Sequence, residues 1–109
     1  MTDDEKLECI RAKLADVADI DLAEVIPSTR LYQDAGLSGD DYYDFIVWFS
    51  HQFCVRLDGF DLSEFAPPES GNWPFERSKY RELDVRSLVE LAQCGSWKES
   101  GLEHRLPVT

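Results

Sequence analysis

Positive charge is what this chain most lacks. Against 22 Asp and Glu it has 11 Lys and Arg, a formal charge of −11. Nucleic-acid binding, which needs clustered cations against phosphate, is therefore not expected. The deficit is uneven: residues 1–66 hold 15 acidic and 5 basic side chains, a net of −10, whereas residues 67–109 hold 7 and 6, a net of −1. Cys9, Cys54 and Cys94 are odd in number and include no Cys-x-x-Cys pair, which fits reduced thiols better than a disulfide framework. No apolar run approaches membrane-spanning length, and MTDDEKLE has no signal-peptide h-region. A cytoplasmic protein is expected. There is no internal repeat, no alternating strand pattern, no nucleophile–base pair and no cofactor fingerprint. An enzyme is thus the weakest reading, with no catalytic residue and no cofactor expected.

What is present is helical periodicity around one dense apolar core. With 109 residues and 43% hydrophobic content, the chain supports a single small domain. Thr2-Asp3-Asp4-Glu5 forms a capping-box pattern, and Leu7, Ile10, Leu14 and Val17 recur at helical spacing behind it. These predict a helix over about 3–17, loosened at its end by Asp16, Asp19 and Asp21, whose charges oppose the helix dipole. Leu31 and Tyr32 are expected to return to the core before a turn at Asp34-Ala35-Gly36-Leu37. A second helix over about 38–54 follows, with Ser38 as N-cap, Asp40 and Asp41 in its first turn, and Tyr42, Phe45, Ile46, Phe49 and Phe53 as its stripe. Cys54 and Val55 end it. A short helix is expected over 61–65, then a long loop over 66–82 anchored by Trp73, Phe75 and Tyr80. A last helix over about 84–94 is capped by Asp84 and stopped by Gly95. Trp97 is expected to fold over that end. The domain is drawn as 1–97 with a flexible tail over 98–109.

This order of parts resembles the acyl carrier proteins, most densely over Val25 to Phe53. Where that family shows a Val, an apolar pair and then Glu/Gln-Asp-Leu-Gly, this chain shows Val25, Leu31-Tyr32 and Gln33-Asp34-Ala35-Gly36. The family's Glu-Leu-x-x-x-Leu-Glu-x-x-Phe helix is similar to Asp44-Phe45-x-x-x-Phe49-Ser50-x-x-Phe53, and its fourth-helix entry to Leu83-Asp84-Val85-x-x-Leu88-Val89. A group of bacterial acyl-carrier-like proteins, known as a domain of unknown function, is closer still. Its features look like Gly39-Asp40-Asp41, Phe65-Ala66-Pro67-Pro68-Glu69 and Leu88 through Trp97. The resemblance implies an all-α, small four-helix bundle. It also implies a departure. Carrier proteins attach 4′-phosphopantetheine to the Ser of an Asp-Ser-Leu motif, and in the gapless register that motif falls on Ser38, Gly39 and Asp40. Glycine has no hydroxyl to esterify. Ser38 is one residue away, roughly 100° round a helix start, and is read as an N-cap rather than a prosthetic-group site.

In the carrier family the matching face of helix two is what enzymes recognise. Here that face holds Asp40, Tyr43, Asp44 and Val47, with Trp48 beside it, and these five are the candidate partner-binding residues. Tyr and Trp are favoured interface anchors. The competing structural reading packs Tyr43, Val47 and Trp48 against the 66–82 loop. Asp34, Asp40, Asp41 and Asp44 lack the spacing of a calcium loop and a His or Lys partner for acid–base work. His51 and Cys54, at i and i+3, lack a second pair of metal ligands and are read as a surface His beside a buried Cys, with no metal expected. The leading functional expectation is a non-catalytic, acidic, acyl-carrier-like module that docks helix two on a basic protein surface. The alternatives are a genuine acyl carrier modified at Ser38 and an acidic immunity-type inhibitor that plugs a basic nuclease site.

Overall fold

The computed structural model describes residues 2–37, 39–61, 65 and 83–102. Within them the chain is all-α, with helices α1 (Asp3–Ala18), α2 (Gly39–Phe53), α3 (Val85–Cys94) and α4 (Trp97–Ser100), plus a 3-10 turn at Leu22–Glu24. The expected short helix at 61–65 and the loop at 66–82 fall largely or wholly outside the described residues. So do the anchors Trp73, Phe75 and Tyr80. No described helix is long and apolar enough to cross a membrane.

Each helix begins and ends for a local reason. Thr2 caps α1 by accepting the Glu5 amide at 3.2 Å, and its hydroxyl donates to the Glu5 carboxylate. The carboxylate thus meets the cap's side chain, where the capping box had implied its backbone N–H. At the other end Asp19 takes a left-handed conformation, φ 57°, and Ile20 N–H reaches back to the Ala15 carbonyl at 3.1 Å. That six-residue closure is a Schellman motif on a residue other than glycine. Cys54 does the same for α2, with φ 54° and Val55 N–H on the Ser50 carbonyl. Asp84 caps α3 through the Ser87 amide at 2.8 Å, and Gly95, φ 84°, ends it.

Ile10 and Leu14 of α1, Tyr42, Phe45 and Phe49 of α2, and Val85, Leu88 and Leu91 of α3 make the centre of the core. Full burial of one such side chain stabilises by about 1.5–3 kcal/mol. Helix α1 packs more extensively on α3 than on α2, and α4 packs on α3. Leu31, Ala35 and Leu37 enter the same core from the connection between α1 and α2; of the apolar pair at 31–32, Leu31 is buried and Tyr32 packs half-buried against the core.

Backbone pairing holds the irregular segments. Leu31 N–H donates to Leu83 and Val85 N–H to Thr29, forming an antiparallel bridge between Arg30 and Asp84. A parallel bridge joins Arg56 to Ser96, with Arg56 N–H on Gly95 and Trp97 N–H on Arg56. The Arg11 side chain makes a third tie. Its Nε donates to the Val25 carbonyl at 2.6 Å, one terminal nitrogen to the Leu22 carbonyl at 3.0 Å, and the other to both oxygens of Glu8.

The domain boundary drawn at 97 moves outward. Trp97 is buried beneath Phe60 and Phe65, α4 continues to Ser100, and Leu102 belongs to the core at 2% exposure. A four-residue helix has too little periodicity to announce itself, and the Arg56–Ser96 pairing that seats it is non-local. Residues 103–109 lie outside the described residues.

Replacing Arg11 with Met keeps the aliphatic stem and removes three donor directions at once. Equilibrium urea unfolding should show a loss of about 1.5–3 kcal/mol. Arg11→Lys should recover only part, because an ammonium cannot reproduce the planar fork. Asp19→Gly should raise stability by about 0.5–1 kcal/mol in the same assay, since it relieves a left-handed residue and removes a charge from the dipole's negative end.

Candidate functional site

Helix α2 divides its residues by geometry. Tyr42, Phe45, Ile46 and Phe49 face the core. Asp40, Tyr43, Asp44 and Val47, at i, i+3, i+4 and i+7, form a ridge on another side. Asp40 and Asp44 are exposed, Val47 is half-buried, and Tyr43 is 55% exposed, the most exposed large apolar side chain described. The structure therefore brings four of the five candidate residues together. Trp48 lies at the edge of this group, four residues on from Asp44 and turned toward α1. It is five residues past Tyr43, about 140° round the helix, and its ring packs on Phe45 and Phe53 with Lys13 Nζ of α1 5.5 Å from its centroid. Trp48 is an internal cation–π partner of α1.

Beside the ridge lies an apolar groove of about 250 Å³, lined by Tyr43, Ile46, Val47, Leu57 and Phe60. Leu57 and Phe60 were not among the sequence candidates. They arrive because the chain reverses at Cys54, pairs through Arg56 with α4's entrance, and turns with Phe60 N–H on the Leu57 carbonyl at 2.9 Å. Phe60 is then wedged in place, stacked on Phe65 at 5.0 Å and edge-on to Trp97 at 5.0 Å. One wall of the groove is thus a fixed aromatic cluster and the other is the α2 ridge. The exposed carboxylates Asp40, Asp44 and Asp58 flank these residues in the chain. A second cavity, about 190 Å³, lies between the start of α1 and α3, lined by Asp3, Asp4, Leu7, Pro27, Arg86 and Val89. None of the candidate residues belongs to it.

Gly39 opens α2 with φ 54°. Any side chain there, serine included, would sit in the left-handed region at a cost of about 1–2 kcal/mol. Ser38 lies outside the described residues. His51 is exposed, and Cys54 is exposed where burial had been expected, because its left-handed turn carries it off the helix face. Among the described residues no group of three His, Cys, Asp or Glu side chains could hold a metal.

Of the acidic residues before and along α2, Asp34 has a structural task. It accepts the Arg30 amide at 2.8 Å and the Arg30 guanidinium at 2.9 and 3.1 Å. Those bonds hold its carboxyl below its ordinary value of 3.8, against a smaller opposing effect of burial. It closes the turn ahead of α2 and is not part of the ridge.

The class defined here is a small all-α bundle with an acidic ridge over an apolar groove. No family model matches the chain, and no curated protein or solved structure compared with it matches either.

The Asp34 bonds set a pH dependence. A carboxyl whose folded pKa is depressed adds stability that is fully present above its unfolded value, near 3.8, and is lost as pH falls through the folded one. Asp34→Asn should cost less than about 1 kcal/mol at neutral pH, because both side chains are substantially exposed. The deficit relative to wild type should close as unfolding is measured at pH values progressively below 3.8.

Proposed function

We propose that this chain is a non-catalytic, acyl-carrier-like recognition module of the cytoplasm that bears no prosthetic group and docks α2 on a basic surface of a partner protein. The observation that carries the reading is Tyr43. A large ring is held 55% exposed at the centre of a ridge whose neighbours are carboxylates, beside an apolar groove. Exposed rings with an apolar pocket at their side are what interfaces use as anchors. The net charge of −10 on residues 1–66 complements a basic partner and would speed its encounter.

One point supports the carrier-like part and another the lack of a prosthetic group. The resemblance over Val25 to Phe53 covers the turn, the entrance and the length of α2. At the position where a carrier holds its serine, Gly39 adopts a backbone conformation that favours glycine.

Two measurements test the proposal. Affinity capture from a cell extract should recover proteins with the wild-type chain that are missing with Tyr43→Ala/Asp44→Lys; the same proteins from both baits would refute docking through α2. Co-expression with a promiscuous phosphopantetheinyl transferase should leave the intact mass unchanged. A phosphopantetheine adduct that disappears in Ser38→Ala would make the chain a true carrier.

A further inference from the structure

We infer that the cavity between the start of α1 and α3 is one half of a contact between two copies of this chain, in which Arg86 of each copy meets Asp3 and Asp4 of the other across a two-fold axis. No residue of α2 lines this cavity, so the inference stands apart from the docking proposed above.

Local geometry brings the lining together. Thr2 caps α1 and sets Asp3 and Asp4 in its first turn, with Leu7 one turn on from Asp3. Arg86 N–H donates to the Pro27 carbonyl at 2.8 Å, which ties the start of α3 to the connection between α1 and α2. Val89 follows Arg86 by three residues on the same side of α3. The cavity, about 190 Å³, is thus lined by apolar Leu7, Pro27 and Val89 and by charges of both signs. Those charges do not pair with one another. The ion pairs between described residues are Glu8–Arg11, Arg30–Asp34 and Arg56–Glu99; Asp3, Asp4 and Arg86 are exposed and take part in none of them. Apolar surface continues along the chain from Pro27, where Ile26 and Leu22 are 52% and 45% exposed.

The mixture of signs selects the occupant. A basic partner would satisfy the two carboxylates and be repelled by Arg86, and an acidic partner the reverse. A neutral apolar segment would take water from all three charges and give them nothing in return. At about 190 Å³ the cavity is also smaller than the roughly 300–1,000 Å³ of clefts that enclose whole small molecules. The occupant must be a surface that carries a cation, carboxylates and apolar side chains together. A two-fold axis supplies one without further design, because an isologous contact places the same patch on both sides. Arg86 then faces Asp3 and Asp4 twice, and Leu7, Pro27 and Val89 of the two copies cover one another. A contact of this size belongs to the weak, transient class.

Sedimentation equilibrium on the full chain tests this from about 10 µM to 1 mM. Salt is held at about 0.15 M, where a screening length of about 8 Å limits repulsion between the copies. Wild type should form a dimer reversibly across that range. Arg86→Glu and Asp3→Asn/Asp4→Arg should each raise the dissociation constant at least about tenfold, since every change acts twice in the contact. The second variant carries less negative charge than wild type, so general repulsion between copies predicts the opposite sign. An equimolar mixture of the two variants should associate to within about threefold of wild type, because each then presents what the other lacks. If circular dichroism shows Asp3→Asn/Asp4→Arg unfolded, Asp3→Asn/Asp4→Asn takes its place and should also weaken association. Wild type that remains monomeric would overturn the inference, as would self-association that neither variant changes. Failure of the mixture to recover association, with both variants folded, would also overturn it. Monomeric wild type that binds free leucine, with Arg86→Glu abolishing that binding, would assign the cavity to a zwitterion instead. None of these outcomes bears on docking through α2, which the capture experiment decides.

Discussion

The guanidinium of Arg11 carries the connection between the first two helices. That connection, described over residues 19 to 37, contains one short turn of 3-10 helix among those residues, so most of its backbone polar groups need partners from elsewhere. Arg11 supplies donors to the Leu22 and Val25 carbonyls, while Glu8 orients it from one turn earlier on α1. Farther along, Thr29 turns its buried hydroxyl to the Ile26 amide, and Leu31 and Val85 pair across to Leu83 and Thr29. Once these bonds are made, Val25, Leu31, Ala35 and Leu37 can be buried without stranding their peptide groups. The order of dependence runs from polar ties to apolar burial. An unmade hydrogen bond at a buried carbonyl costs about 1–3 kcal/mol, comparable to the burial of one of these side chains.

The orientation of α2 follows from that anchoring. Leu37 is fixed in the core just before the helix, and its N–H returns to the Leu31 carbonyl. With Tyr42, Phe45, Ile46 and Phe49 turned inward, the 3.6-residue repeat leaves Asp40, Tyr43, Asp44 and Val47 on a flank. The second wall of the groove depends on an equally non-local tie, the parallel bridge that seats Trp97 under Phe60. The Trp97 indole N–H has no hydrogen-bond partner among the described residues. Its burial is maintained by ring contacts with Phe60 and Phe65. A ring so fully enclosed offsets the unpaired donor through its apolar area.

What was legible beforehand divides along the range of the interactions. The Thr2 and Asp84 caps, the α2 stripe, the Gly95 stop and the return of Leu31 all lie within a few residues of their signals, and all are found where the residues implied. The reversal at Cys54 was legible as a helix end but not as an exposed thiol, since exposure depends on a left-handed dihedral that composition does not encode. Trp48 was placed beside the α2 ridge as a residue off the core stripe, but its packing on Phe45 and Phe53 and its approach to Lys13 depend on how α1 meets α2. Leu57, Phe60 and α4 were missed as parts of one structure because the Arg56–Ser96 pairing joins segments forty residues apart.

Charge and apolar surface have separate tasks in this arrangement. At about 0.15 M salt the screening length is about 8 Å, so the carboxylates of α2 would act on the proposed partner only at close range and chiefly bias its orientation. In the docking proposed above, retention after contact would depend on desolvation, for which the groove offers an apolar lining. An acidic surface alone would attract cations of many shapes and hold them weakly. The groove alone would leave an anchor's orientation unset. Placing the α2 ridge beside the groove would make the proposed binding depend on the spacing between a cation and an apolar side chain, which is a property of shape rather than of net charge. That spacing is where selectivity can arise in a chain whose overall charge would otherwise favour any basic surface.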